Sequence, residues 1–306
     1  MHNYRLLFSF ICLMIAFWGC NTSDLNDVSN EAYIKEVQEW HKSRVERLTS
    51  TDSWLSLAGL FWIKESENSF GSHESNDFIF PRGKSPDFMG KFILKADQVS
   101  VEIRDDVKVY YKEKSIKNMI LKSDVEGEPT LLRFGSLSWY LIKRDGSFAV
   151  RLRDSENPNI NSFQGIEIYP IDPKWKIKAE FEKYDPPREI LTPTIMGTIA
   201  KQPSPGVLVF KVDGKECRLE AIGKPDSKRY FMIFADETNG KETYGAGKYV
   251  YIDSPSEDGT TIIDFNKSYN PPCAFTDYAT CSFPSEENRL SVKITAGEKA
   301  YHSSTY

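Results

Sequence analysis

From Trp54 onward the chain alternates apolar and polar residues with period two, and this restricts the fold more than any other feature. The segment Trp175-Lys-Ile-Lys-Ala-Glu-Phe-Glu-Lys183 shows it most cleanly. Successive side chains of a strand point to opposite faces, so such a run fits a sheet with one covered face and cannot keep an apolar stripe on a helix. Phe92–Leu94, Val99–Ile103, Val107–Tyr110, Trp139–Ile142 and Phe148–Leu152 read the same way, as do Gly206–Phe210, Glu216–Ala221, Arg229–Ala235, Lys248–Ile252 and Thr260–Asp264. Asp145-Gly146 and Asp213-Gly214 separate consecutive runs, and Asp258-Gly259 marks a third turn. Asp-Gly is a two-residue hairpin signal because both central positions of such a turn need positive φ.

Before these strands, Glu31–Leu48 carries Ile34, Val37, Trp40, Val45 and Leu48 roughly on one helical face, with charged residues opposite. His41 beside Trp40 reads as a surface or boundary histidine. The expected fold is therefore mainly β, with antiparallel sheets in a barrel-like or sandwich-like arrangement, one N-terminal helix and an irregular, loop-rich C-terminal region. Residues 31–306 read as a single β-rich domain, in which Asp185-Pro186-Pro187 marks either a linker between two halves, 31–185 and 188–306, or an interruption within one continuous sheet system. Trp54, Phe61, Trp62 and Tyr140 are expected to fill the core.

The N-terminus carries an address. Arg5 precedes the apolar run Leu6–Phe17, which is short for a membrane span, and Gly19-Cys20 closes it. Residues 1–19 read as a signal peptide. The small residue before Cys20 resembles a bacterial lipoprotein signal, in which the cysteine is acylated, and two or more acyl chains anchor a protein stably. Residues 20–30 would then be the lipidated cysteine and a polar tether. Asn21, by analogy with lipoprotein sorting, points to the outer membrane of the cell envelope. The membrane is thus an expected partner. A net charge of −5 with no clustered basic surface argues against nucleic acid.

Between Thr243 and Glu298 the chain departs from alternation. Glycines, prolines, amides and cysteines crowd into Thr243-Tyr-Gly-Ala-Gly247, Asp264-Phe-Asn266, Tyr269-Asn-Pro-Pro-Cys273, Cys281 and Asn288-Arg289. Irregular backbone on a rigid scaffold is where binding and chemistry tend to sit. Tyr244, Asn266, Tyr269, Asn270 and Arg289 are the expected ligand-binding residues. Asp264 and Glu298 are the carboxylates for acid–base work, or for a hard cation with amide support from Asn266 and Asn270. The competing reading makes Asp264 and Asn266 caps of a turn, and makes Arg289 a strut to Glu298 or Asp264. A nucleophile–base pair lacks a histidine in this strip, since His41, His73 and His302 all lie elsewhere. The Thr243–Gly247 loop lacks phosphate-loop spacing and precedes a strand pattern. Cys273 and Cys281 would form a disulfide in an oxidising compartment, with Cys217 left as a buried small hydrophobe.

The same strings carry a family resemblance. Trp54-Leu-Ser-Leu-Ala-Gly-Leu-Phe-Trp62, Arg151-Leu-Arg-Asp154, Phe163-Gln-Gly165, Phe234-Ala-Asp236, Thr243–Gly247, Asp264–Asn266, Tyr269–Phe275, Thr280-Cys281, Glu287-Asn-Arg289 and Ala296-Gly-Glu298 resemble the bacterial and archaeal family catalogued as domain of unknown function 1684. Lys248 and Lys267 stand where that family resemblance implies arginine, which keeps the charge and loses the planar fork. The family implies no activity and no cofactor. The functional expectation is a cell-envelope lipoprotein that binds a small molecule, a glycan or an envelope partner through the C-terminal polar site. The alternatives are an envelope hydrolase using Asp264 and Glu298, and a structural or assembly lipoprotein without a ligand.

Overall fold

A computed structural model describes residues 22–301, with side chains from Asn30 onward. The expected signal peptide, the lipidated Cys20 and His302 lie outside the described residues. The protein is mainly β, its sheets antiparallel apart from one short parallel pair, and one sheet curls into a half-barrel. Helix α1 spans Thr22–Leu48. It begins in the segment expected to be a tether, so the chain is helical from Thr22 rather than from Glu31. No helix among the described residues is long and apolar enough to cross a membrane.

Two sheets, of six and five strands, make the N-terminal half. Phe70, Phe80, Phe92, Trp139, Val150 and Leu152 are buried between them. Strand Leu137–Arg144 turns Leu137, Trp139 and Leu141 inward. That register leaves Tyr140 on the opposite face, which is why it does not join the core as expected. Trp62 is likewise exposed, and Trp54 and Phe61 are only partly buried. Asp145 and Gly146 both take positive φ, 48° and 82°, and pair Leu137–Arg144 with Ser147–Asp154. The hairpin expected at Asp213-Gly214 forms in the same way.

The C-terminal half holds a four-stranded sheet and a two-stranded one around Trp175, Phe210, Phe234 and Phe265. Its long strand, Lys176–Pro193, runs straight through Pro186 and Pro187. The prolines fall where the pairing register shifts between Lys183 and Arg188, a position where the ladder does not need their missing N–H groups. They sit at a bulge within one continuous strand. The strands of the first two sheets end at Asp154, and those of the other two begin at Lys176.

After Asp264 no further strand forms among the described residues. Residues 265–301 are irregular, as the glycine and proline content predicts. Isolated bridges fix this segment to the sheets, among them Thr194–Ser282, Ala235–Arg289, Tyr249–Tyr269 and Ile168–Glu298.

Candidate functional site

Of the expected polar residues of the C-terminal strip, Asp264, Asn266, Tyr269, Asn270 and Glu298 meet against α1, whereas Tyr244 and Arg289 lie elsewhere. Tyr33, Val37, Trp40, His41, Arg44 and Leu48 recur at helical spacing and form the docking face. Arg44 lies over the Tyr269 ring at 4.4 Å, a cation–π contact. Its Nε stands 2.5 Å from Glu298 Oε1, and its Nη2 donates to the carbonyl of Asn270 at 3.0 Å. The second Glu298 oxygen accepts the Asn270 N–H at 2.7 Å. Glu298 is 1% exposed. Both its oxygens are therefore engaged inside the protein.

Asp264 is held mainly through one oxygen, and its buried Oδ2 accepts no hydrogen bond among the described residues. Tyr33 O–H donates to its Oδ1 at 2.7 Å, the Asn266 N–H adds a turn-capping bond at 3.2 Å, and Lys267 Nζ lies 3.5 Å from Oδ2. Burial first, and the Asp264 carboxylate second, push the Tyr33 phenol well above its ordinary range. The Asn266 side chain spans Tyr33 Oη at 2.9 Å and both backbone groups of Asp172. His41 Nε2 lies 2.8 Å from the Asn266 carbonyl, which can only accept, so the ring nitrogen carries the proton. Burial lowers the His41 pKa. Asn270 donates its side-chain amide to Lys299 O at 2.8 Å. The turn-cap reading of Asp264 and Asn266 is the one the geometry supports, and the whole cluster is a brace that docks α1.

Arg289 does not join it. Its side chain is exposed, and among the described residues no carboxylate lies within ion-pair reach of it. The strut expected of Arg289 is supplied by Arg44, which sequence reading left on the polar face of the helix. The signal was present in the spacing: Arg44 sits in the stripe of Val37, Trp40 and Leu48. Lys248, where the resemblance implies arginine, points inward. It is fully buried, its Nζ 2.6 Å from Asp236 Oδ2 and donating to Ile294 O at 3.2 Å, and burial lowers its pKa against the opposing pull of Asp236.

Cys273 and Cys281 are neighbours with unbonded sulfurs, so the expected disulfide is not formed in this structure. The Cys273 N–H donates to Cys281 Sγ at 3.1 Å, which gives the thiol a packed, hydrogen-bonded place. Burial pushes the Cys281 thiol up, away from nucleophilic use. Among the described residues no three His, Cys, Asp or Glu side chains are grouped to hold a metal ion.

Two clefts flank the segment Cys281–Phe283. The larger, about 530 Å³, is lined by Tyr244, Ile195, Ala246 and Phe283, by Lys241 at its rim, and by the backbone of Gly240 and Gly245. Tyr244 is thus the one expected ligand residue that faces a ligand-sized space, and its O–H also reaches Cys273 O at 3.2 Å. Gly240 has φ of 74°, and a Cβ added at Gly245 would meet only the Gly240 backbone, at 3.8 Å. The bare backbone at these two positions leaves the cleft open. The smaller cleft, about 220 Å³, lies on the other side and contains Arg151, Thr280 and Cys281.

Residues 161–299 match the family model described as protein of unknown function (DUF1684). The strings Trp54–Trp62 and Arg151–Asp154 lie outside that span. Among solved structures, the solution NMR structure of an uncharacterized protein of Haloarcula marismortui is 27% identical, covers 45% of this chain and 78% of that chain, and superposes with a TM-score of 0.39. No curated protein matches the chain.

Proposed function

We propose that the protein is a non-catalytic binding protein, and that its ligand is a small molecule with a flat apolar face, sugar rings included, held in the Tyr244 cleft. The observation that carries this reading is the cleft itself. Its volume of about 530 Å³ falls in the range of small-molecule sites, and its walls combine the apolar Ile195, Ala246, Phe283 and Ala300 and bare glycine backbone with a few polar groups, Lys241, Thr243 and Tyr244. The carboxylates that a hydrolase would need line neither cleft and are held by α1. This argues against acid–base chemistry at Asp264 and Glu298.

The test is a thermal-shift screen of metabolites and glycans on the full chain and on Ala246→Trp. At least one class should raise the melting temperature of the unsubstituted protein, because a ligand that binds only the native state stabilises it by mass action. The indole of the variant should fill the cleft and remove the response while the circular dichroism spectrum is retained. An equal response in both proteins, or none in either, would reject the reading.

We further propose that the protein works at the cell envelope, anchored to the outer membrane by acylation of Cys20. The apolar run Leu6–Phe17 followed by Gly19-Cys20 supports this. Incorporation of labelled palmitate that is lost in Cys20→Ala would be the expected result, and label retained in that variant would exclude it.

A further inference from the structure

Alternation along Ser147–Asp154 sends Val150 and Leu152 into the N-terminal core and Arg151 to the other face. On a half-solvated sheet Arg151 would reach water. Here Pro272 and residues 279–282 lie across that face, and Arg151 is only 3% exposed. A buried cation ordinarily has a carboxylate beside it, because removing a charge from water without a partner is costly. Arg151 has none among the described residues. Its Nη2 donates to Thr280 Oγ1 at 3.1 Å, and its guanidinium lies 5.4 Å from the Trp54 ring centroid. Its Nε is buried without an acceptor.

The surroundings sharpen this imbalance. The cleft that Arg151 lines contains no Asp or Glu. Its other cation, Arg144, is paired with Asp124 at 2.7 Å and is offset from within the protein. Phe231, Ile233 and Tyr249 form apolar walls, and a charge–charge attraction is stronger in such a setting than in water. Tyr249 is occupied, since its O–H donates to Ser282 O at 2.7 Å. The Thr280 hydroxyl accepts from Arg151, so its own proton remains to be donated.

We propose that this cleft is an oxyanion site, in which the carboxylate or phosphate group of a small ligand docks on the Arg151 guanidinium and accepts the Thr280 hydroxyl proton. A planar guanidinium with most of its five donors unengaged matches the two oxygens of such a group. The volume, about 220 Å³, is below the usual small-molecule range and equals roughly seven water volumes. It suits a carboxylic acid of a few carbons or a phosphate, and not a drug-sized ligand.

The test is titration of the full chain with acetate, succinate and inorganic phosphate, followed by melting temperature and by calorimetry, with chloride at matched ionic strength as the control. Saturable stabilisation by an oxyanion and not by chloride is expected, and the response of each anion separates a carboxylate from a phosphate site. Arg151→Met should lose on the order of ten- to a hundredfold in affinity, as expected for charge-assisted bonds. It should also leave the unliganded melting temperature unchanged or higher, since it removes an uncompensated buried charge. Thr280→Val keeps the guanidinium and serves if Arg151→Met does not fold; it should weaken binding severalfold. Ala246→Trp, which fills the other cleft, should bind the oxyanion as the unsubstituted protein does, so the two proposals fail separately. No saturable response to any of the three oxyanions, an equal response to chloride, or undiminished binding in both Arg151→Met and Thr280→Val would overturn the assignment.

Discussion

Arg44 of the N-terminal helix and Glu298 near the other end of the chain form a buried ion pair with Nε 2.5 Å from Oε1, across 254 positions of sequence. The pair is completed by the Asn270 carbonyl on the arginine and the Asn270 N–H on the carboxylate. Removing one partner leaves the other charge buried and unpaired. Glu298→Gln and Arg44→Ala should therefore each destabilise the protein by about 3 kcal/mol. Urea denaturation of the single and double variants would measure the coupling. Additive effects of the two substitutions would contradict the pairing.

His41 makes docking of α1 sensitive to acid. Burial lowers its pKa in the folded state, against the opposing influence of the Asn266 carbonyl and Glu298. The unfolded chain takes up a proton near pH 6.5, while the folded ring resists it. The contribution of His41 is thus fully present above about pH 6.5 and is lost as pH falls through that value toward the lower folded pKa. Between pH 7.5 and 5 the melting temperature should fall more in the unsubstituted protein than in His41→Phe. Parallel pH profiles would contradict this.

Gly297 and Gly259 share a φ of 75° but differ in surroundings. A Cβ at Gly297 would stand 2.1 Å from Ser268 Oγ and 2.4 Å from Ser268 O, whereas a Cβ at Gly259 meets nothing within 4 Å. Gly259→Ala should cost only the conformational term of about 1 kcal/mol. Gly297→Ala should cost considerably more and loosen the Arg44–Glu298 pair beside it. Equal losses in chemical denaturation would show that the close approach at Gly297 is relieved cheaply.

Cys217, Cys273 and Cys281 are all buried thiols. Reaction with a thiol reagent should be slow in the native protein and should proceed at the rate of unfolding in denaturant. Rapid labelling of Cys273 or Cys281 under native conditions would place them at an accessible surface, and absence of labelling after unfolding without reductant would show that they had been oxidised to a disulfide.

The strand series, the two Asp-Gly hairpins and the irregular C-terminal region could be read from the chain because each is local. Alternation fixes which residues share a face, and a two-residue turn fixes the register of its own hairpin. The readings that failed or stayed open depended on distant partners. Pro186-Pro187 left a linker and a continuous strand both open, because proline cannot donate to a ladder, and only the register shift in the strand removes that demand. Arg289 looked like the partner of Glu298 or Asp264 because it stands beside irregular loops, where an arginine pins carbonyls or carboxylates. Arg44 takes that role because α1 crosses the strip.

Sequence alone determined the faces: Arg151 opposite Val150, Arg44 in line with Val37 and Leu48, Asp264 and Glu298 at bends. Only the tertiary structure decided which faces are covered. Burial of a charge depends on what packs over it, and here the covering segments come from the other end of the chain. That packing turns the carboxylates into a brace for α1 and leaves the Arg151 guanidinium in an apolar cleft without a counter-charge of its own.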